Sequence, residues 1–249
     1  MKEWRLRPAR DLGLSPTERL RSLSRERGLV GVTLNGLWRR TVRAYLAVAH
    51  RLEVEGGENL PPEPPFVMIA NHCSHLDALA LAAALRGKAA RQAHALAAGE
   101  VFFGTDPGAA FSAYAINALP VWRGATTRGA LETLRARLVE DRLVYILFPE
   151  GTRSRTGEMG TFQGGLARLV IGTEVPVVPC WLEGAHACWP LRRRFPRPGK
   201  LRLRVGRPLN FRTVPPGAAG RQSITEASKA AVMALALPDH VRAEPSPPA

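Results

Sequence analysis

Phe66-Val67-Met68-Ile69-Ala70-Asn71-His72-Cys73-Ser74-His75-Leu76-Asp77 carries an apolar run straight into a polar cluster, and alanine- and leucine-rich sequence follows over 77–85. A continuous apolar run of this length is the signature of a strand covered on both faces, whereas alanine and leucine favour helix. The stretch therefore predicts a buried strand over 66–70 and a helix over 77–85, with His72 and Asp77 at the junction between them. Residues 143–148 repeat the pattern, an apolar strand that runs into Pro149-Glu150-Gly151-Thr152-Arg153-Ser154. A third apolar strand is expected over 175–182. Leu201, Leu203 and Val205, alternating with Arg202 and Arg204, predict a strand with one wet face.

Helical spacing of Ala130, Leu131, Leu134 and Leu138 predicts a helix over 126–140. Further helical sequence runs over 101–118, interrupted near Pro107-Gly108, and over 222–237. Strands alternating with helices imply an α/β fold, a mostly parallel central sheet flanked by helices. In such sheets ligands bind beyond the carboxyl ends of the strands, where both polar clusters fall. Upstream, residues 1–27 are arginine-rich and broken by Pro8, Gly13 and Pro16, leaving room for a short helix within 16–27. In residues 28–52, Val30, Leu34, Leu37, Trp38, Val42, Tyr45, Leu46 and Ala49 recur every three or four positions among Arg39, Arg40, Arg43 and Arg51. This is an amphipathic helix, suited either to packing on its own domain or to a lipid interface. A short strand over 51–55 and the proline cluster 61–65 follow. The expected organisation is an N-terminal arm and helix over 1–52, a catalytic domain over 53–237 and a tail over 238–249.

The formal charge is +14, and only four of the 35 basic residues are lysines, leaving 31 arginines. Such a surface attracts polyanions. No zinc-finger, basic-zipper or RNP-type pattern is present, so an anionic membrane surface is the expected partner rather than nucleic acid. Cys73, Cys180 and Cys188 form no C-x-x-C pair, which suggests neither a disulfide framework nor a thiolate metal site and fits a reducing cytosol. No run approaches the ~18 apolar residues of a membrane span, and no secretory segment follows Met1-Lys2-Glu3-Trp4-Arg5. The expected location is cytoplasmic, peripheral on the inner face of the cell membrane.

An alcohol is a weak nucleophile near neutrality, and attack on a thioester needs a base to take its proton. His72 is suited to this work if one ring nitrogen faces the alcohol and Asp77 holds the other. A structural histidine near a helix start is the plainer alternative. Another is a metal site, because His72, His75 and Asp77 form an H-x-x-H-x-D set. His94, His186 and His240 stand alone, and no metal is expected. In the second cluster Gly151 permits a tight turn, Arg153 offers a fork matched to phosphate, and Glu150 holds either Arg153 or an acceptor hydroxyl. Read by itself it is equally a surface turn with an ion pair. Backbone N–H groups near Gly151 are candidate oxyanion donors. Cys73 offers a weaker, covalent route.

These segments resemble the glycerolipid acyltransferase family that includes the 1-acylglycerol-3-phosphate acyltransferases. Asn71, His72 and Asp77 match its N-H-x-x-x-x-D motif, and residues 148–154 match F-P-E-G-T-R-S without a substitution. Leu119-Pro120-Val121-Trp122-Arg123 resembles the second motif, with Trp122 replacing a polar residue, and Val175-Pro176-Val177-Val178-Pro179 matches the fourth. The resemblance covers about residues 50–210 and implies a glycerol-3-phosphate acyltransferase-like fold. It implies His72 as general base and Asp77 as its partner, with Arg123, Glu150, Gly151, Thr152 and Arg153 holding the acceptor. Pro176 and Pro179 would shape the acyl side, and Asn71 and Ser74 would supply polar groups. The implied reaction moves a fatty acyl group from acyl-CoA or acyl carrier protein to the hydroxyl of a lysophospholipid, lysophosphatidate above all, without a cofactor. Another lysolipid such as lyso-ornithine lipid, or a silent lipid-binding module, is the alternative, with a metal-dependent hydrolase ranked below them. The basic run over 191–208 reads as a solvated face or a second membrane contact, and oligomeric state is left open.

Overall fold

The apolar run at 66–70 becomes the middle strand of a seven-stranded sheet, each of its residues buried. The computed structural model describes residues 9–26, 28–122 and 127–236. Among them the strands are β1 (Glu53–Glu55), β2 (Phe66–Ala70), β3 (Ala93–Ala98), β4 (Leu119–Val121), β5 (Val144–Leu147), β6 (Val177–Glu183) and β7 (Arg202–Val205). Their spatial order is β1-β7-β6-β2-β5-β3-β4, and neighbours are parallel except β6 with β7. The helices are α1 (Pro16–Arg21), α2 (Leu29–His50), α3 (Asp77–Ala84), α4 (Gly87–Arg91), α5 (Gly99–Phe102), α6 (Asp106–Tyr114), α7 (Thr127–Glu140), α8 (Gly165–Val170), α9 (Ala185–Cys188) and α10 (Ala218–Ala234).

Side chains alternate across β2, as the pleat requires. Phe66, Met68 and Ala70 join α2 and α3 in one buried cluster, and Val67 and Ile69 join α7, α8 and α10 in another. Helices thus cover both faces, which is why the strand reads as continuously apolar. The expected mostly parallel α/β sheet with flanking helices is what forms.

Four local expectations need correction. The break in 101–118 falls at residues 103–105, and Pro107 instead lies in the first turn of α6, where its missing N–H costs nothing and Thr105 caps the helix. Arg204 does not face water: it is buried, with Nη2 2.9 Å from Glu183 and Nε 3.2 Å from Glu55. β3 was not foreseen, because Ala-His-Ala-Leu-Ala-Ala has little strand propensity; pairing with β5 and β4 holds it extended. The fourth concerns α2, which sorts its residues differently from the amphipathic expectation. Gly31, Asn35, Val42, Leu46 and His50 are buried, whereas Leu29, Val30, Leu34, Leu37 and Val48 face outward. Arg39 and Arg43 turn inward instead. Arg39 donates to the Ala90 carbonyl at 2.8 Å, and Arg43 donates to those of Ala83 (3.1 Å) and Leu85. These carbonyls lie at the C-terminal ends of α4 and α3, where orphan acceptors and the helix dipole favour a cation.

Two substitutions separate the faces of α2. Leu46→Ala, at a fully buried position, should cost about 2–5 kcal/mol of stability. Leu37→Ala, on the exposed face, should cost less than ~0.5 kcal/mol. Urea midpoints check both, and equal losses would mean that the exposed face is also packed.

Candidate active site

Because β2 and β5 are parallel neighbours in register Ile69 to Leu147, their carboxyl ends deliver His72 and Glu150 to the same sheet edge. Asn71 continues the β2 ladder with its side chain: Nδ2 donates to the Leu182 carbonyl (3.1 Å) and Oδ1 accepts the Leu182 N–H (2.9 Å). Its amide is committed to β6, so the polar role expected of it is structural.

Between Asn71 and α3 the chain is a tight loop, not an extension of the helix. Ser74 Oγ accepts the Leu76 N–H and donates to the Trp189 carbonyl, a structural role also. The loop wraps around Asp77, the first residue of α3, whose side chain is fully buried. Asp77 Oδ2 accepts three hydrogen bonds, from His72 Nδ1 (2.8 Å), Cys73 N (2.7 Å) and Ser74 N (2.8 Å). A carboxylate only accepts, so Nδ1 carries the proton and the lone pair resides on Nε2. Phe148 stacks on the imidazole at 4.0 Å with 14° between planes, fixing the remaining freedom of the ring. One fifth of the His72 side chain stays accessible. The pairing read from the spacing is therefore formed, in the geometry that a general base needs.

Glu150 does not pair with Arg153, one of its two expected partners, and binds main-chain groups instead. It is buried, Oε1 accepts the His72 N–H at 2.7 Å, and Oε2 accepts the Gly160 N–H at 2.8 Å. Ser154 N in turn donates to the His72 carbonyl at 2.7 Å. The second cluster thus grips the His72 peptide on both sides, and neither Glu150 oxygen is spent on Arg153. Burial pushes the Glu150 carboxyl above the usual carboxylate range, opposed by the two backbone donors and by His72. Sequence reading missed this clamp, since its partners are main-chain groups that leave no mark in the sequence.

Arg153 lies instead against His75, Nη1 being 2.6 Å from Nδ1 and 2.9 Å from Nε2. Burial, then the neighbouring guanidinium, lowers the His75 pKa below its ordinary value. A neutral imidazole accepts from Arg153 without cancelling its charge, and no carboxylate pairs with Arg153 among the described residues. With a cation against His75, the three-ligand reading of His72, His75 and Asp77 is not assembled; the described residues hold no group of three or more metal-ligand side chains. Gly151 adopts φ +71°, as a tight turn at glycine requires, and its N–H is occupied by the Phe148 carbonyl at 3.0 Å. That removes it as an oxyanion donor. Thr152 is exposed beside it. Arg123 lies outside the described residues. Its neighbour Trp122 covers Gly99, where a Cβ would come within 2.4 Å of the indole, so the tryptophan serves packing at the end of β4.

Cys73 is buried, and its thiol is pushed up to about 12, first by burial and then by Asp77. Burial also raises Cys180 and Cys188. Brief iodoacetamide treatment near about pH 8 should therefore leave all three unmodified in the folded protein and alkylate them after denaturation, read by intact mass. Rapid native labelling of Cys73 would restore the covalent route.

The chain is 29% identical over 168 residues to the mouse 1-acyl-sn-glycerol-3-phosphate acyltransferase alpha, covering 67% of this chain and 57% of that protein. A coconut 1-acyl-sn-glycerol-3-phosphate acyltransferase is 36% identical over 78 residues, 31% of this chain and 25% of its own. The match spans little more than half the length of the mammalian relatives. Among solved structures, the 1-acyl-sn-glycerophosphate (LPA) acyltransferase PlsC from Thermotoga maritima superposes with TM-score 0.59 at 24% identity, covering 82% of this chain and 79% of that one, which shows the shared fold. The acyltransferase family model matches residues 51–183, more than half of the sequence, and the chain accordingly belongs to the acyltransferase family.

Proposed function

We propose that this protein transfers a fatty acyl group from an acyl thioester to the free hydroxyl of a lysophospholipid, 1-acylglycerol-3-phosphate first among them. The observation that carries the reading is the 2.8 Å contact of His72 Nδ1 with Asp77, which leaves Nε2 as the base in a member of this family. The acceptor hydroxyl gives its proton to Nε2 as its oxygen attacks the thioester carbon. Collapse breaks the carbon–sulfur bond, and the departing thiolate takes the proton from the imidazolium. No acyl-enzyme is needed. Arg153, which forms no ion pair with a carboxylate among the described residues, holds the acceptor phosphate, together with Arg123. Gly151 and Thr152 border that anion site, and Glu150 positions His72 through the backbone. The names of the relatives support lysophosphatidate as acceptor.

The same reading puts the protein on the cytoplasmic face of a membrane, with residues 1–52 as the associating segment of a catalytic domain spanning 53–237. No helix among the described residues is long and apolar enough to cross a bilayer. Leu29, Val30, Leu34 and Leu37 of α2 are exposed near Phe111 and Tyr114 of α6, an apolar surface that suits contact with lipid at the interface.

His72→Ala should lower acceptor-dependent thiol release by about two to four orders of magnitude while leaving vesicle sedimentation unchanged. The wild-type reaction should survive chelation, and mass spectrometry of products from a lysolipid panel should give phosphatidic acid as the fastest product. Unimpaired turnover in the variant would reject His72 as the base; a faster product from another lysolipid would reject the acceptor.

A further inference from the structure

Loop 190–197 hangs from the wall of the catalytic site. Trp189, just before it, offers its carbonyl to Ser74 Oγ (2.8 Å) and to the His75 N–H (3.4 Å), and its ring lies 4.9 Å from that of His75. Pro190 bridges Ser74. The loop then closes on itself: Arg193 N donates to the Pro190 carbonyl at 3.0 Å, Trp189 Nε1 to the Arg193 carbonyl at 3.0 Å, and Arg197 N to the Cys188 carbonyl at 2.9 Å. A compact, pinned loop is a defined surface rather than a loose basic tail.

It presents Arg192, Arg193, Arg194 and Arg197, and none pairs with a carboxylate among the described residues. The contrast with the residues that follow is informative. Lys200, Arg202 and Arg204 all meet Glu53, Glu55 or Glu183. Arg193 Nη1 is shielded from solvent without an acceptor, and Arg194 lies 5.5 Å over the ring of Phe195, itself 69% exposed. Four like charges on so short a segment repel one another, and a polyanion relieves that repulsion.

We infer that loop 190–197 binds the phosphorylated handle of the acyl thioester donor, its arginines taking phosphate oxygens and Phe195 lying against the planar or apolar part. The inference rests on the acyl-transfer reading above. Coenzyme A and acyl carrier protein share a phosphopantetheine arm with the thioester at one end and phosphate at the other. Trp189 and Pro190 join the loop to Ser74 and His75, so an arm laid along Trp189 leads from the His72 loop to the arginines. A membrane contact is less well matched. The loop follows β6 and precedes β7, whereas the exposed apolar residues of α5 and α6 follow β3, across β2 and β5 in the sheet.

The test compares wild type with a variant carrying Arg192→Gln, Arg193→Gln, Arg194→Gln and Arg197→Gln, and with the charge-preserving lysine set, after circular dichroism confirms folding. For the glutamine set, KM for acyl-CoA should rise by about tenfold or more, with kcat and the lysolipid KM little changed. An acyl-pantetheine lacking phosphate should be used equally by wild type and variant, and the lysine set should recover most of the loss. Running acyl-CoA beside acyl carrier protein identifies the handle that is read. Direct titration with coenzyme A, followed by tryptophan fluorescence, separates this inference from the reading it rests on. Binding that the glutamine set abolishes in a protein without turnover would sustain the loop's role and reject acyl transfer. Unchanged coenzyme A and carrier-protein affinity, or a loss confined to phosphatidylglycerol vesicles, would overturn the inference.

Discussion

A buried carboxylate with three donors on one oxygen organises this protein. Stripped of water, an unpaired Asp77 carboxylate would cost several kcal/mol, and the fold offsets part of that cost locally, at Oδ2, while Oδ1 is buried without a hydrogen-bond partner among the described residues. His72, Cys73 and Ser74 converge on Oδ2, and the first turn of α3 adds its dipole. Two of the donors are backbone groups, so the shape of the loop and the orientation of the imidazole are a single constraint. The histidine is poised because the chain around it has no other way to satisfy the aspartate.

Glu150 applies the same principle from the opposite side. It arrives on β5, distant in sequence, and spends its oxygens on the N–H groups of His72 and Gly160. Parallel pairing of β2 with β5 makes this possible, since only parallel neighbours bring both carboxyl ends to one edge. Site geometry and topology are joined at this point: a shift in register between these strands would separate Glu150 from the His72 peptide before any side chain changed.

What could be read beforehand follows the same division. Phe66–Ala70 and the strand before Glu150 were legible because burial on both faces writes a continuous apolar run, and the junction of His72 with Asp77 was legible from spacing. β3 was not, since alanine takes its extended form here from neighbours rather than from itself. The faces of α2 were not, because periodicity reports which residues recur together but not which side is covered; Arg39 and Arg43 found carbonyls that no pattern of charge announces. Glu150 was placed in the site, but its main-chain partners were not legible, because amides of His72 and Gly160 leave no mark in the sequence.

The net charge of +14 is the coarsest of these signals, and the structure divides it into parts with different meanings. Some arginines close helix ends, as Arg43 does, and others are fenced by glutamates, as Arg204 is. Neither group adds much to the field that an approaching anion meets, because their charge is already answered within the protein. Arg153 forms no ion pair with a carboxylate among the described residues, lying against His75 and feeling Asp77 only through space, and the four arginines of loop 190–197 form none either. Part of the unanswered charge therefore lies along the wall that runs from His72 through His75 and Trp189. In the proposed reaction both substrates carry phosphate, and cations along this wall then have a physical reason: each phosphate is held away from the carboxylates that hold His72.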